Sequence, residues 1–324
     1  MMAREYRGII IQAPRTPALG TVAAASPGPG ELRVRLQGSG VCASNVPVWE
    51  GREWFHYPLP AGAPGHEGGG FVEDIGEGVG DFDVGQRVAF LSERAYAEVD
   101  VAPASAAVAL PGELDDQPFP GEPLGCAMNI FDRSQIASGH TVAIVGTGFL
   151  GLLLTQLASR AGADVVAISR REFSLQLARE HGARETLRSD EVNVIGRALA
   201  LTGGRGFDRV IEAAGEQATL DLASALVAEH GRLIIAGYHQ DGRRQVDMQS
   251  WNWRGIDVIN AHERSRERQI GGVRAAIDAV LNGSMDPFGL FTHALPLASL
   301  GEALELTRTR PDGFVKSLVL CEPA

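Results

Sequence analysis

Three short segments of the chain carry side chains of the kinds that metal ions bind. Cys42 lies in the first segment, His66 and Glu67 lie side by side in the second, and Glu122 lies in the third. A thiolate, an imidazole and one or two carboxylates can form a four-coordinate zinc site that keeps one exchangeable position. Zinc in such a site can polarise a hydroxyl group and stabilise the alkoxide from which a hydride leaves. Each residue alone is common in structural roles, but together they predict a catalytic zinc centre.

A glycine-rich segment supplies a second candidate site. Residues 146–151 read Gly-Thr-Gly-Phe-Leu-Gly, follow the apolar strand predicted over Thr141–Val145 and open the apolar helix predicted over Leu150–Ala161. In this context the glycines permit a tight turn, a close approach of the backbone to a pyrophosphate and close helix packing, while the helix N-terminus attracts phosphates. The pattern predicts a dinucleotide-binding loop. The predicted contact residues are Gly146, Gly148, Phe149, Leu150 and Gly151.

The end of the next predicted strand indicates which dinucleotide is bound. The strand Val165–Ile168 is followed by Ser169, Arg170 and Arg171, and no carboxylate lies at this tip. An acidic residue about 20 positions after the loop usually binds the ribose hydroxyls of NAD, whereas a hydroxyl and a guanidinium group favour the 2′-phosphate of NADP. The sequence therefore predicts NADP(H). The alternative is that Arg170 and Arg171 are solvated surface charges and that the chain uses both dinucleotides.

The elements that must position these residues change in character along the chain. Residues 8–110 read as short apolar or alternating strands separated by Gly/Pro turns, which predicts a β-rich barrel domain. From residue 141 onwards strand and helix patterns alternate, which predicts an α/β fold with a doubly wound parallel sheet. The strands predicted in the first part are Ile9–Gln12, Glu31–Leu36, Gly69–Ile75, Arg87–Leu91 and Ala95–Val101.

Composition and charge argue against several classes of function. The 324 residues carry a formal net charge of −11 with dispersed basic residues, whereas a nucleic-acid partner requires a clustered basic face. Three cysteines are too few and too scattered for a disulfide framework. The first residues show no apolar signal-peptide core, and the apolar stretch Val142–Ala158 is shorter than the roughly 20 residues that span a bilayer. We therefore expect a cytoplasmic protein with no nucleic-acid or membrane partner.

Together these motifs resemble the medium-chain dehydrogenase/reductase superfamily over nearly the whole chain, and the glutamate at position 122 resembles its sorbitol and threonine dehydrogenase branch. The similarity is carried by Gly-Val-Cys-Ala-Ser-Asn at 40–45, Pro-Gly-His-Glu-Gly at 64–68, Val-Gly-Asp-Phe-Asp-Val-Gly-Gln-Arg-Val at 79–88, Glu-Pro-Leu at 122–124, the loop at 146–151, Val-Ile-Glu-Ala-Ala-Gly at 210–215 and Gly-Arg-Leu-Ile-Ile-Ala-Gly at 231–237.

The resemblance implies how the chain divides into domains. A GroES-like catalytic domain would comprise residues 1–126 and 263–324, and a Rossmann NADP(H)-binding domain would comprise residues 127–262. The same resemblance implies that Ala214 and Gly237 contact the cofactor.

The resemblance also implies a ligand set for the metal. Zinc would be held by Cys42, His66 and either Glu67 or Glu122, with water or substrate completing the site. Cys126 is a rival ligand, because horse-liver-type alcohol dehydrogenases use a cysteine in this segment. The spacing to the glycine-rich loop matches the Glu-Pro-Leu branch and favours Glu122 over Cys126.

The chain departs from the superfamily pattern in three respects. The lobe that often holds a structural zinc with four cysteines is absent, so we expect one catalytic zinc and no structural zinc. Asn45 replaces the usual aspartate that accepts a hydrogen bond from the zinc-bound histidine, and its carbonyl oxygen can still accept one. Pro47 replaces a histidine often used in proton relay. Ser44 then remains as the first proton acceptor, with the cofactor ribose or His56 beyond it.

Residues near the metal-binding segments and after the last Rossmann strand are candidates for a substrate pocket. The superfamily places residues near nicotinamide and substrate at the position of Asn260–Glu263. Polar groups there suit a polyhydroxylated substrate, since a site that binds hydroxyls rejects analogues without them. The alternative is that the aromatic residues belong to the core and that His262 lies at an interface. The candidates are Trp49, Trp54, Phe55, Met128 and His262.

These expectations combine into one predicted function. The chain would transfer a hydride between NADP(H) and a secondary alcohol/ketone pair, with a polyol, sugar or cyclitol-like substrate and with Cys42, His66, Glu67 and Ser44 as catalytic residues. The alternatives are a zinc-free NADPH-dependent enone or quinone reductase and a redox-inactive NADPH-binding protein, and the intact ligand set argues against both. By resemblance, pairing through the predicted edge strand at Val258–Asn260 would give a homodimer or homotetramer.

Overall fold

The computed structural model describes residues 5–23, 25–114 and 118–321. This part of the chain forms two compact units. The first contains the described residues up to Gly125, Ser265–Leu281 and the described residues from Phe288 onwards. The second contains Cys126–Arg264 and Asn282–Pro287.

Strands dominate the first half of the chain, and strands and helices alternate afterwards. In chain order the elements are β1 (Glu5–Ala13), β2 (Thr16–Ala23), β3 (Glu31–Gly40), α1 (Asn45–Glu50), β4 (Glu67–Ile75), β5 (Arg87–Leu91), β6 (Val99–Pro103), β7 (Ala107–Ala109), α2 (Gly121–Ser134), β8 (Thr141–Val145), α3 (Phe149–Arg160), β9 (Asp164–Ser169), α4 (Glu172–Glu180), β10 (Glu185–Arg188), α5 (Val194–Ala200), β11 (Phe207–Glu212), α6 (Gln217–Leu226), β12 (Val227–Ile235), α7 (Met248–Arg254), β13 (Asp257–Asn260), α8 (Arg266–Leu281), β14 (His293–Pro296), α9 (Leu300–Thr309) and β15 (Ser317–Leu320).

The first unit is built around a seven-stranded sheet. Its strands follow the order β14-β15-β3-β4-β5-β7, β6 pairs with β3, and β1 and β2 form a separate antiparallel pair. In β3, Leu32, Val34 and Leu36 are buried while the residues between them are partly exposed. Successive side chains of a strand point to opposite faces, so this alternation places one face of β3 in a core shared with Val72 and Val88. The predicted β-rich region is confirmed.

The central strand β3 pairs with strands from both the early and the late part of the chain. Gly40, its last residue, pairs with Glu67 of β4 on one side and with Leu318 of β15 on the other. Residues far apart in the sequence therefore meet where β3 ends. The chain continues from this point into Cys42 and the short helix α1.

The second unit contains a six-stranded parallel sheet in the order β10-β9-β8-β11-β12-β13. The order reverses between β8 and β11, which is the switch point at which doubly wound sheets bind ligands. Val142, Ile144, Val165 and Val210 are fully buried, as expected for parallel strands covered on both faces. The predicted doubly wound sheet is confirmed.

One predicted strand differs from the structure for a clear physical reason. The strand predicted over Ala95–Val101 begins only at Val99. The backbone of Tyr96 bonds elsewhere, because its N–H donates to Gly62 O (3.0 Å) and its carbonyl accepts from Ile9 N–H (2.8 Å). The segment 92–98 thus joins β5 to β6 without an inserted lobe.

In the parallel sheet of the second unit, β13 is an edge strand. Pairing of two copies through this strand stays a prediction. None of the helices within the described ranges is both long enough and apolar enough to cross a membrane.

Close packing of α3 on β8 predicts the effect of a single methyl group. A Cβ at Gly151 would lie 1.9 Å from Gly146 O, so Gly151→Ala must displace the loop that precedes the helix. We expect the free energy of unfolding, measured by urea denaturation, to fall by about 1–3 kcal/mol. The matched control is Gly148→Ala, whose Cβ would meet nothing within 4 Å, and its stability should change by less than about 0.5 kcal/mol. Equal stabilities of the two variants would contradict this packing argument.

Candidate metal centre and dinucleotide site

Three metal-ligating side chains meet at the end of β3. Cys42 follows β3 and precedes α1, while His66 and Glu67 lie where β4 begins. The antiparallel pairing of Gly40 with Glu67 brings these two segments together. One ligand atom from each of the three side chains lies within 4.8 Å of the others. A thiolate, an imidazole and a carboxylate at such separations match the donor set that zinc prefers.

Glu67 is the most deeply buried member of this cluster, with 1% of its surface exposed. Its Oε1 accepts a hydrogen bond from Lys316 Nζ at 2.9 Å. Its Oε2 lies 2.8 Å from the same Nζ in an ionic contact, but accepts no hydrogen bond from any residue that the structure describes. A buried carboxylate oxygen without a hydrogen bond is costly unless another partner satisfies it. A metal ion held with Cys42 and His66 fits this requirement.

His66 is held between the backbone and its acidic neighbours. Its Nδ1 lies 3.0 Å from Pro64 O and 3.4 Å from Asn45 Nδ2. Burial alone lowers the pKa of His66, but a hydrogen bond with Cys42 and the negative charges of Cys42, Glu67 and Glu122 raise that pKa to about 10. The cluster thus favours a cation at this position.

Asn45 uses its amide differently from the sequence-based expectation. Its Oδ1 accepts a 2.6 Å hydrogen bond from the hydroxyl of Tyr96, and its Nδ2 donates to Pro64 O at 3.1 Å. The carbonyl oxygen is therefore engaged by Tyr96 rather than by His66. Instead, the carbonyl of Pro64 accepts from the Nδ1 side of His66. Tyr96 is fully buried, and burial together with the charges of Glu67 and Cys42 raises its pKa well above the ordinary value.

The two other predicted ligand candidates lie on α2. Glu122 is in the first turn of this helix, and its charge contributes to the raised pKa of His66. Cys126 lies one turn further along and is half-buried. The triad whose ligand atoms meet within 4.8 Å contains Glu67 rather than Glu122 or Cys126.

Ser44, the predicted proton acceptor, lies two residues after Cys42 at the start of α1. It is the N-cap of α1, yet its side chain caps none of the helix amides. Ser44 as a whole is half-buried. His56, the predicted second relay residue, is exposed.

The aromatic pocket candidates of the first unit lie in different environments. Trp49 is 5% exposed and packs in a core cluster with Ile9, Val41 and other apolar residues, which argues for a structural role. Trp54 is 55% exposed, and its ring centroid lies 5.9 Å from that of Phe55. An exposed aromatic pair offers apolar surface to a ligand, whereas Trp49 does not.

The remaining pocket candidates belong to the second unit. Met128 is half-buried on α2. His262 is exposed, and its ring stacks on Tyr238 with a centroid distance of 5.8 Å. Partial burial and the charge of Arg264 lower the pKa of His262 below its ordinary value.

The glycine-rich loop joins β8 to α3 with the geometry that the sequence predicts. Gly146 has a φ of 103°, which side chains other than glycine rarely adopt, and its N–H donates to Ile168 O at 2.9 Å. Gly148 is the N-cap of α3, and no side chain caps the helix there. The first turn of α3 therefore receives no hydrogen bond from a capping side chain.

A chain of hydroxyl groups ties this loop to the tip of β9. Thr147 donates to Ser174 Oγ at 2.8 Å, and Ser174 donates to the carbonyl of Arg171 at 3.0 Å. Ser169, the last residue of β9, lies 3.4 Å from Ser174 Oγ. The exposed guanidinium of Arg170 lies 3.7 Å from a carboxylate oxygen of Glu216. Ser169 at the tip of β9 is thus held near the loop, and the neighbouring Arg170 lies beside the carboxylate of Glu216.

A buried carboxylate organises the strand ends next to this loop. Glu212 Oε1 accepts hydrogen bonds from Ala214 N (2.9 Å), Gly215 N (2.8 Å) and the hydroxyl of Thr219 (2.7 Å). Glu212 Oε2 contacts His239 Nε2 at 3.0 Å. A Cβ at Gly237 would lie 2.3 Å from Gly215 N, so this glycine is required by close backbone approach.

Sequence reasoning missed Lys316, Tyr96 and Glu212 as members of these sites. Lys316 carried a signal, since it is the only lysine in the chain. The sequence around Glu212 also contained a signal, because a carboxylate at the end of a buried apolar strand needs local hydrogen-bond partners. Nothing in the sequence near Tyr96 indicates its distant partner Asn45.

Two protein-family descriptions match the chain. Residues 28–111 match the alcohol dehydrogenase GroES-like domain, and residues 150–281 match the zinc-binding dehydrogenase family. The first match confirms the predicted GroES-like region.

Individual proteins are similar over most of the chain. A sorbitol dehydrogenase from Halalkalibacterium halodurans is 25% identical over 311 residues, which cover 86% of this chain and 88% of that protein. An L-threonine 3-dehydrogenase from Bacillus subtilis is 26% identical, covering 88% of this chain and 90% of that protein. A crystal structure from Sinorhizobium meliloti 1021, assigned as a zinc-binding dehydrogenase and bound to NADP, has a TM-score of 0.82. It is 25% identical and covers 98% of this chain and 99% of that chain.

The Tyr96–Asn45 hydrogen bond predicts a measurable loss of stability. Tyr96→Phe leaves the buried Oδ1 of Asn45 without its donor, so we expect the free energy of unfolding to fall by about 1–3 kcal/mol. Urea denaturation measures this change. Tyr238→Phe removes a hydroxyl from a residue that is 60% exposed, and its stability should stay within about 0.5 kcal/mol. A Tyr96→Phe variant as stable as this control would refute the role of the bond.

Proposed function

Because the chain belongs to the zinc-type alcohol and polyol dehydrogenase branch of the medium-chain dehydrogenase/reductase superfamily, we propose that it transfers a hydride between NADP(H) and a secondary alcohol/ketone pair with one catalytic zinc. The observation that carries this proposal is the cluster of Cys42, His66 and Glu67 with its buried, hydrogen-bond-free carboxylate oxygen. A zinc-free reductase would not require such a cluster of metal-ligating side chains.

Each bound group supplies one part of the chemistry. Zinc would provide a Lewis acid for the substrate oxygen, and the nicotinamide would accept or donate the hydride. Cys42, His66 and Glu67 would hold the metal, with Glu122 as the alternative to Glu67 and with water or substrate in the remaining position. Ser44 Oγ would take the proton of the substrate hydroxyl, because it is two residues from a ligand and is not used as a helix cap. The same Oγ would return the proton in the reverse reaction.

The backbone and the basic tip of β9 would bind the cofactor. Gly148 leaves space in front of α3, and the uncapped amides there suit a pyrophosphate. Ser169 and Arg170 would bind a 2′-phosphate, which would compete with Glu216 for the guanidinium. An exposed ion pair of this kind is weak, so a phosphate with more charge would displace it. The NADP bound in the similar crystal structure supports this choice.

The substrate class follows from the metal chemistry and from the relatives. Sorbitol and L-threonine, which name two similar enzymes, both carry a secondary alcohol. We assign the same functional group, on a polyol, sugar or cyclitol-like molecule, to the substrate of this chain. The first compact unit would be the catalytic domain and the second the cofactor domain, close to the predicted boundaries.

The metal content of the purified protein tests this proposal directly. Protein purified without chelator should contain about one zinc per chain, and Cys42→Ala should lose both zinc and turnover, because a thiolate ligand is removed. Plasma emission spectrometry measures the metal, and oxidation of a polyol panel measures turnover.

The matched control is Cys126→Ala, which removes a half-buried thiol from α2. It should keep its zinc if Glu67 or Glu122, rather than Cys126, completes the site. Zinc near zero in the unmodified protein, with NADPH still bound, would overturn the proposal and favour a zinc-free enone or quinone reductase.

Cofactor choice gives an independent test. Arg170→Ala should weaken NADP⁺ binding about tenfold or more and leave NAD⁺ binding within about twofold, because only NADP⁺ carries the 2′-phosphate. Calorimetric titration measures both dissociation constants. Arg179→Ala removes an exposed guanidinium that pairs with Glu172 on α4, and should change neither constant. An unmodified protein with equal or better catalytic efficiency for NAD⁺ would refute the assignment of NADP(H).

A further inference from the structure

The only lysine of the chain lies beside the candidate metal ligands. Among the 29 lysine and arginine residues, Lys316 is the single lysine, and every other basic position carries arginine. Lys316 directly precedes β15 and is 6% exposed. An ammonium is a compact charge with three donors, whereas a guanidinium is a larger planar group with five. The site therefore uses the smaller cation where space is limited.

The contacts of Lys316 are directed at one carboxylate. Its Nζ lies 2.9 Å from Glu67 Oε1 and 2.8 Å from Glu67 Oε2, and also donates to the carbonyl of Val41 at 3.3 Å. The two charged residues are separated by 249 positions in the sequence. They meet because β15 and β4 flank the same end of β3.

Gly40 leaves room for the Glu67–Lys316 pair because glycine has no Cβ. A Cβ at Gly40 would lie 1.9 Å from Glu67 Oε2 and 3.1 Å from Lys316 Cε. Glycine at the end of β3 thus creates the space that the carboxylate occupies. Three strands contribute to the pair: β4 carries the acid, β15 follows the base, and β3 provides the gap.

The negative charge around Glu67 explains why this residue needs a cationic partner. Cys42, Glu67 and Glu122 all place negative charge near His66. A buried carboxylate without a cation is strongly unfavourable, so Glu67 needs a partner before any metal binds. Lys316 Nζ lies within ion-pair distance of both oxygens, but only Oε1 accepts a hydrogen bond from it, so the hydrogen-bonding capacity of Oε2 is not used by any residue that the structure describes.

We propose that Lys316 is a positioning residue of the metal centre, which fixes the carboxylate of Glu67 by an ion pair while Oε2, which accepts no hydrogen bond, can still bind a divalent ion. This inference rests on the proposed function, in which Cys42, His66 and Glu67 bind zinc. Partners that fix a ligating carboxylate typically change metal affinity by about tenfold to a hundredfold when removed.

Two possible roles of Lys316 predict opposite effects of Lys316→Met on zinc affinity. If its charge alone mattered, Lys316→Met would remove a repelling cation and tighten zinc binding. If it positions Glu67, the same change frees the carboxylate and weakens zinc binding. The direction of the change in zinc affinity therefore separates the two roles.

The experiment compares zinc dissociation constants of metal-free protein by competition with a fluorescent chelator. We expect Lys316→Met to bind zinc about tenfold to a hundredfold more weakly and to show an altered visible absorption spectrum with Co²⁺, which reports ligand geometry. Zinc binding that is unchanged or tighter, with an unchanged Co²⁺ spectrum, would overturn the proposal.

The matched control is Arg33→Met, which removes a partly buried cation at the opposite end of β3. Arg33 contacts Glu73 at 3.1 Å and Asp74 at 3.2 Å, so its removal takes a cation away from two carboxylates of the same sheet. Its zinc affinity and Co²⁺ spectrum should match those of the unmodified protein. A loss equal to that of Lys316→Met would show that any lost cation has this effect, and the proposal would fail.

A second measurement uses the unmodified protein and needs no folded variant. Labelling with ¹⁵N-lysine gives one side-chain signal, because there is one lysine. Zinc added to metal-free protein should shift this signal and saturate at one equivalent, and an unshifted signal would also overturn the proposal. Absence of zinc binding by the unmodified protein would instead refute the proposed function, so the two failures are distinguishable.

Discussion

The buried ion pair of Glu67 and Lys316 is the constraint on which the first unit depends. The carboxylate of Glu67 is 1% exposed, and burial of such a group is unfavourable unless a partner compensates it, which Lys316 does from the position just before β15. The order β15-β3-β4 meets this need, and Gly40 supplies the space at the end of β3. Cys42 and His66 then reach Glu67 because their segments leave and enter these same strands.

The second unit uses a buried carboxylate in a related way, with backbone amides in place of an ammonium group. Glu212 ends β11 and accepts the N–H groups of Ala214 and Gly215. Carboxylates that accept several N–H groups are well stabilised, and they fix the backbone that donates to them. The backbone after β11 is therefore held by Glu212 next to the point where the strand order of the parallel sheet reverses.

The two sites differ in how firmly their charges are held. At the candidate metal centre the charged groups of Glu67 and Lys316 are buried, so the electrostatic interaction between them is strong. At the tip of β9 the charged groups Arg170 and Glu216 are exposed at 3.7 Å, where water screens them. On the proposed function, cofactor choice would depend on weak surface interactions, whereas metal binding would depend on the architecture of the sheet.

The sequence by itself determined the parts of this protein that depend on local patterns. Alternating apolar residues identified β3, and the glycine spacing at 146–151 identified the loop, because strand period and turn conformation are local properties. The helix α1, which contains Pro47, and the largely exposed strand β2 escaped prediction, because neither shows a clear apolar period.

The tertiary structure alone decided which of these residues act together. Glu67 rather than Glu122 lies in the triad of close ligand atoms, and the hydroxyl of Tyr96 rather than His66 engages the Asn45 carbonyl. Lys316 reaches Glu67 across 249 positions. Strand order and the need to pair each buried charge determine these partners. Neither can be inferred from the sequence next to the site.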